Sequence, residues 1–163
     1  METQALNLFI VDDNKSMVVA LKHYIQSKFG NNVNISTFYD GESCVKEVNK
    51  NTDFVILDYF LEGKNGLEVL KEIKDINPKT EVIMLSSNND IDLVIKSLKN
   101  GAADYVVKGP TAWKRVSTLI SDVVTAPIRI IVREFGVSKF MAIFLMTFLT
   151  MGAIVALFLY LMP

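Results

Sequence analysis

Apolar runs along this chain stop abruptly on reactive polar residues. Phe54-Val55-Ile56-Leu57 leads straight into Asp58. A run of that length without polar alternation reads as a strand buried on both faces of a parallel sheet, and the acid at its end must emerge at the carboxyl edge. Leu6-Asn7-Leu8-Phe9-Ile10-Val11 ends the same way in Asp12-Asp13, Val82-Ile83-Met84-Leu85 in Ser86-Ser87, and Asp104-Tyr105-Val106-Val107 in Lys108. Val33-Asn34-Ile35-Ser36-Thr37-Phe38 instead alternates apolar and polar, the pattern of an edge strand.

Helical spacing fills the gaps. Val18, Leu21, Ile25 and Phe29 recur at helical intervals behind Asn14, a predicted N-cap, and Gly30-Asn31-Asn32 closes that helix. Asp40-Gly41 opens a helix to about Asn49. Gly66 opens another that ends before Pro78. Asp90 caps a helix over Ile91 to Asn100, stopped by Gly101, and Thr111 caps a last one to about Thr125. Five strands alternating with five helices predict an α/β domain: a five-stranded parallel sheet, doubly wound with helices on both faces.

Beyond Thr125 the pattern changes. Pro127 is expected to kink or restart a helix. Ile128 to Phe135 mixes apolar residues with Arg129, Arg133 and Glu134, and Gly136-Val137-Ser138-Lys139 reads as a joint. Phe140 to Met162 then carries no charge over 23 residues. As a helix this run is about 34 Å long, enough to cross a bilayer core of about 30 Å. The organisation predicted is a domain over 1–125, a juxtamembrane helix or linker over 126–139 and a transmembrane helix over 140–162. Arg129, Arg133 and Lys139 precede the span, which predicts a single-pass tail anchor in the inner (cytoplasmic) membrane with the globular part in the cytoplasm.

Composition adds limits. The net charge of −1 gives no basic bias toward nucleic acid, and no helix-turn-helix pattern is visible. One cysteine, Cys44, precludes an intramolecular disulfide and suits a reducing compartment. The polar start Met1-Glu2-Thr3-Gln4 is not a signal peptide. His23, the only histidine, falls on a helix away from the acidic rim and is expected at the surface.

Three carboxylates, Asp12, Asp13 and Asp58, delivered to one rim repel each other unless a cation intervenes, and hard oxygen ligands suit Mg2+. Lys108 adds a positive charge and Ser86 a hydroxyl. Such a group would stabilise an incoming phosphoryl group, with Asp58 as nucleophile forming an acyl phosphate. A passive cation site, or acids simply favoured at helix N-termini, is the alternative on residue types alone.

Val11-Asp12-Asp13-Asn14, Ile56-Leu57-Asp58 followed by Gly66-Leu67-Glu68, Ile83-Met84-Leu85-Ser86-Ser87, and Gly101-Ala102-Ala103-Asp104-Tyr105-Val106-Val107-Lys108 resemble, in order, the motifs of the receiver domain of bacterial two-component response regulators, of the chemotaxis-regulator type. The resemblance covers about residues 5 to 125. It implies a flavodoxin-like fold, phosphorylated by a histidine kinase or phosphotransfer protein. Asp58 would be the phosphoacceptor. Asp12, Asp13 and Asp58 would hold Mg2+ with the backbone carbonyl of Phe60. Lys108 would contact the phosphoryl group, Ser86 would be the switch hydroxyl and Tyr105 the aromatic that follows it. Two departures stand out: Lys108-Gly109-Pro110 replaces the family's Lys-Pro, and Phe60-Leu61-Glu62-Gly63 lacks its common Met-Pro.

These readings predict a membrane-tethered receiver whose phosphorylation switches a face including Ile95, Tyr105 and Trp113 toward a membrane-protein partner, with no enzymatic activity beyond its own phosphorylation and dephosphorylation. Trp113 serves equally as core packing. Phe60, two residues past Asp58, is expected either to shield the phosphate from water or merely to pack on its loop. A phosphate relay or sink and a structural subunit of a membrane complex are the rival functions. A flavin site is disfavoured because acids would repel its phosphate.

Overall fold

The computed structural model describes the backbone of residues 5–135 and 139–161, with side chains for 5–123 and 143–161. Five strands, β1 (Leu6–Val11), β2 (Val33–Phe38), β3 (Phe54–Asp58), β4 (Glu81–Ser86) and β5 (Asp104–Val107), form one parallel sheet in the order β2-β1-β3-β4-β5. That order, with α1 (Lys15–Phe29), α2 (Gly41–Glu47), α3 (Gly66–Ile76), α4 (Ile91–Lys99) and α5 (Ala112–Phe135) between and after the strands, is the flavodoxin-like doubly wound fold. The alternating strand Val33–Phe38 lies at the edge, as its pattern predicts.

β3 is central because every one of its residues is buried. Its alternation divides the core. Val55 and Leu57 join Phe9, Val11, Val82 and Met84 from neighbouring strands with Val69, Leu70 and Ile73 of α3. Phe54 and Ile56 point to the opposite face by the two-residue period of a strand. Each such side chain contributes about 1.5–3 kcal/mol on burial. At the amino edge Thr80 and Asn77 donate to the Thr52 carbonyl at 2.8 and 3.3 Å, closing that end with fixed partners.

Caps confirm the local signals. Asn14, Asp40 and Asp90 each accept a backbone N–H in the first turn of the next helix. Asn65 and Glu68 make a reciprocal capping box at the start of α3. A short 3-10 turn (Gly30–Asn32) follows α1.

α5 departs from expectation. It runs from Ala112 to Phe135 without ending near Thr125, and Pro127 lies inside it. Proline forfeits one backbone donor, so the hydrogen bonds on either side carry the helix past it. The chain divides into two compact units, Met1–Thr118 and Leu119–Pro163. In the second, α6 (Lys139–Leu161) holds a bilayer-length apolar stretch, Ile143–Leu161, with none of it buried. Of the predicted joint over 136–139, residues 136–138 lie outside the described residues, as does Met162 of the predicted span, whereas Lys139 is the first residue of α6.

Candidate phosphoacceptor site

Strand register assembles the site. Val11 pairs with Leu57, so Asp12 leaves the sheet beside Asp58, and Asp58 pairs with Leu85, one residue before Ser86. Ser86 in turn pairs with Val107, and the Lys108 amide donates to the Ser86 carbonyl at 2.7 Å. Four strand ends therefore deliver their polar residues to one edge.

Lys108 binds the acids together. Its Nζ lies 2.7 Å from Asp58 Oδ2 and 2.8 Å from Asp12 Oδ2. Asp12 and Asp58 are only 3% and 4% exposed, whereas Asp13 faces solvent. The remaining oxygens take backbone donors: Asp12 Oδ1 accepts the Asn14 amide at 2.9 Å and Asp58 Oδ1 the Phe60 amide at 3.3 Å. Burial pushes the Asp58 carboxyl above its ordinary range, more than its bond to Lys108 pulls it down. Burial alone would lower the Lys108 ammonium, but bonds to Asp12 and Asp58 outweigh it and hold Lys108 above its usual value.

A divalent cation fits the donor set. Carboxylate oxygens of Asp12, Asp13 and Asp58 lie within 4.8 Å of one another, all hard ligands, and one ammonium offsets only part of their charge.

Ser86 is fully buried, and its Oγ accepts the Asn88 amide at 3.2 Å. The Tyr105 hydroxyl donates to the Asn88 carbonyl at 2.8 Å. Asn88 thus joins the two expected switch residues through its own peptide groups. No side-chain motif signals Asn88, because it takes part only through its backbone atoms. Gly66 was legible as a helix start but not for its role. Its amide donates to the Tyr59 carbonyl at 2.8 Å, and a Cβ there would collide with the Asp58 carbonyl oxygen and lie 2.7 Å from Tyr59 Cα. Only glycine lets α3 begin this close to the phosphoacceptor loop.

The remaining expected residues separate. Phe60 is half exposed and meets Tyr59 edge-on at 5.0 Å. Ile95 is exposed on α4, in line with exposed Ile91 and Leu98, and Tyr105 is half-buried on β5. Trp113 is half-buried and meets Tyr24 of α1, ring centroids 5.4 Å apart. His23 is exposed and Cys44 is buried. The described peptide bonds are all trans, and with Gly109 inserted before Pro110 Lys108 still reaches both acids.

A doubly wound α/β domain with buried acids, a lysine and a hydroxyl at the carboxyl edge of its sheet defines a class of phosphoryl-accepting signalling domains. The chain belongs to the response regulator receiver domain family, whose sequence profile matches residues 8–119. It is 32% identical over 119 residues to the transcriptional regulatory protein MalR of Bacillus subtilis, covering 72% of this chain and 49% of MalR. The chain therefore spans about half the length of that relative. Among solved structures it resembles the BeF3-activated DrrB receiver domain, with TM-score 0.64, 26% identity, and coverage of 74% of this chain and 98% of that one. It also resembles CheY in the CheX-CheY-BeF3-Mg complex of Borrelia burgdorferi, with TM-score 0.62, 30% identity, and coverage of 72% and 89%. Receiver domains are phosphorylatable signalling domains, served by histidine kinases or phosphotransfer proteins, and bind Mg2+ at an acidic pocket.

Proposed function

We propose that this chain is a membrane-tethered receiver, phosphorylated on Asp58 and signalling to a membrane-protein partner. The observation that carries it is a complete cluster of Asp58, Asp12 and Lys108 on the same chain as the exposed apolar helix Ile143–Leu161. In this reading residues 1–125 are the receiver, 126–139 the juxtamembrane segment and 140–162 the span, with the receiver on the cytoplasmic side.

Asp58 is the nucleophile. A carboxylate oxygen attacks phosphorus of the donor, the bond to the donor nitrogen or oxygen breaks, and an acyl phosphate forms. Asp12, Asp13, Asp58 and the Phe60 carbonyl would hold Mg2+, which would supply positive charge to offset that of the phosphoryl oxygens. Lys108 exchanges its bond to Asp58 Oδ2 for one to a phosphoryl oxygen. Ser86 reorients its hydroxyl toward the same group, which strains its bond with the Asn88 amide and, through Asn88, the bond from Tyr105. Phosphorylation thereby shifts a two-state equilibrium of the β4–α4 loop. The exposed Ile91, Ile95 and Leu98 on α4, with Tyr105, supply the responsive surface. Beside them an open cavity of about 500 Å3 is bordered by Tyr105, Val107, Lys114, Arg115 and Thr118. The half-exposed Phe60, two residues past Asp58, slows the entry of water. A Phe60→Asn variant that loses phosphate no faster than the parent removes that role.

The deciding experiment is purification of the full-length protein from native membranes in mild detergent, with and without beryllofluoride, followed by identification of what accompanies it. A partner that appears or leaves with beryllofluoride supports the gated reading. The same partner in both samples replaces it with a structural subunit, and no partner in either replaces it with a phosphate sink.

A further inference from the structure

The second half of α5 plays no part in the phosphoacceptor chemistry, yet its sequence is strongly patterned. α5 is helical to Phe135. Along it Val124, Ile128, Ile131, Val132 and Phe135 recur at i, i+4, i+7, i+8 and i+11, one arc of a helix, with Ile130 the one branched aliphatic residue from 124 to 135 on the far side. Arg129 and Arg133, one turn apart, fall on a second arc at the border of the first. Lys139 opens α6, and Glu134 is the single acid between Thr125 and Lys139.

Continuity with α6 limits where this helix lies. Three residues, 136–138, separate Phe135 from Lys139, and four Cα steps span at most about 14 Å even when fully extended. With Ile143–Leu161 across a bilayer, the end of α5 stays within reach of the headgroups. An apolar arc bordered by arginines suits that zone, with apolar residues at the acyl boundary and guanidinium groups on phosphates.

We propose that residues 124–135 form an in-plane amphipathic helix that docks on an anionic lipid surface. This rests on the membrane-tether reading. Charge complementarity selects the occupant. Two arginines and a lysine against one glutamate favour a surface of phosphates over a neutral apolar groove, and the tether presents that surface at high effective concentration.

The test uses the full-length protein, in which Cys44 is fully buried and its thiol is pushed up to about 12 by burial, so a nitroxide reacts with an introduced cysteine alone. Ile131→Cys and Ala126→Cys probe opposite arcs in vesicles of phosphatidylcholine with and without phosphatidylglycerol. The expected result, with phosphatidylglycerol, is a label at 131 that collides with oxygen and a label at 126 that collides with a water-soluble nickel chelate. Arg129→Gln and Arg133→Gln each weaken that contrast about fivefold. Both labels in water overturn the proposal, as does a contrast indifferent to phosphatidylglycerol. Alkaline extraction separates the two levels. Protein stripped from the vesicles defeats the tether itself, whereas protein retained with both labels in water defeats only the in-plane helix.

Discussion

The two ends of one sheet are both polar, but only one is built for chemistry. At the amino edge Asp53 Oδ2 accepts the Asn7 amide at 2.9 Å, the Asn7 side chain donates to the Asn51 carbonyl at 2.8 Å, and Asn34 donates to Asn7 at 3.3 Å. The group that meets the exposed Asp53 is a neutral backbone amide, and Asn7 itself is half-buried. At the carboxyl edge two buried carboxylates are met by one ammonium on a long flexible stem. Neutral, short-range partners fix a loop. A charge on a mobile stem can be reassigned when a phosphoryl group arrives, and burial makes the reassignment matter energetically. The same fold therefore carries a structural edge and a reactive one, and the difference lies in how each acid is paired.

The strongest way to break this contrast is to exchange the acids. Asp58→Ala is expected to abolish phosphate incorporation from a small-molecule phosphodonor, while Asp53→Ala keeps it, as read by mobility shift on a phosphate-affinity gel. Equal labelling of the two variants defeats the assignment. Lys108→Met leaves both buried acids facing each other. It should cost the metal-free protein about 2 kcal/mol, below the 3–5 of a fully buried pair because the lysine side chain is 19% exposed. Added Mg2+ should then raise the melting temperature more in this variant than in the parent. An equal rise shows that lysine and cation do not share the site.

Gly66→Ala drives a Cβ into the backbone of Asp58 and Tyr59 and should cost about 2 kcal/mol in chemical denaturation, with slower phosphorylation at Asp58. Unchanged phosphorylation would mean that the loop relaxes freely. Asp58→Asn works in the opposite direction. Because the folded protein holds the Asp58 proton more tightly than the unfolded chain, ionised Asp58 costs stability at neutral pH, and that cost fades as pH falls below its folded value. The metal-free variant should be the more stable of the two at neutral pH and lose that advantage in acid. A gain that persists in acid points to packing instead. The smallest effect belongs to the amino edge: Asn7→Ala should cost about 1 kcal/mol, one net hydrogen bond, and leave phosphorylation untouched.

The strands and caps were legible because they are local. The run Phe54–Leu57 announces a buried strand, and Asn14, Asp40 and Asp90 occupy cap positions that differ from their surroundings in side-chain chemistry alone. The helix end expected near Thr125 was the misreading: α5 continues through Pro127 to Phe135, because a proline forfeits one backbone donor without having to end a helix. The contact of Trp113 with Tyr24 appeared only in three dimensions, since Tyr24 lies far off in sequence and meets it where α5 packs on α1, and Trp113 stays half-buried there.

By itself the sequence determined which polar residues end the strands and at which edge they emerge, since a parallel sheet sends every strand's last residue to the same rim. It also determined that a bilayer-length apolar helix follows, because length and the absence of charge are properties of a segment alone. Tertiary structure decided the rest. The register of β1, β3 and β4 set Asp12 beside Asp58 and Ser86 across from them, the stem of Lys108 closed on both acids, and α3 came close enough to Asp58 that Gly66 has no room for a side chain. The physical reason is that pairing, burial and close approach depend on the distance between segments, and a linear pattern of residues contains no such distance.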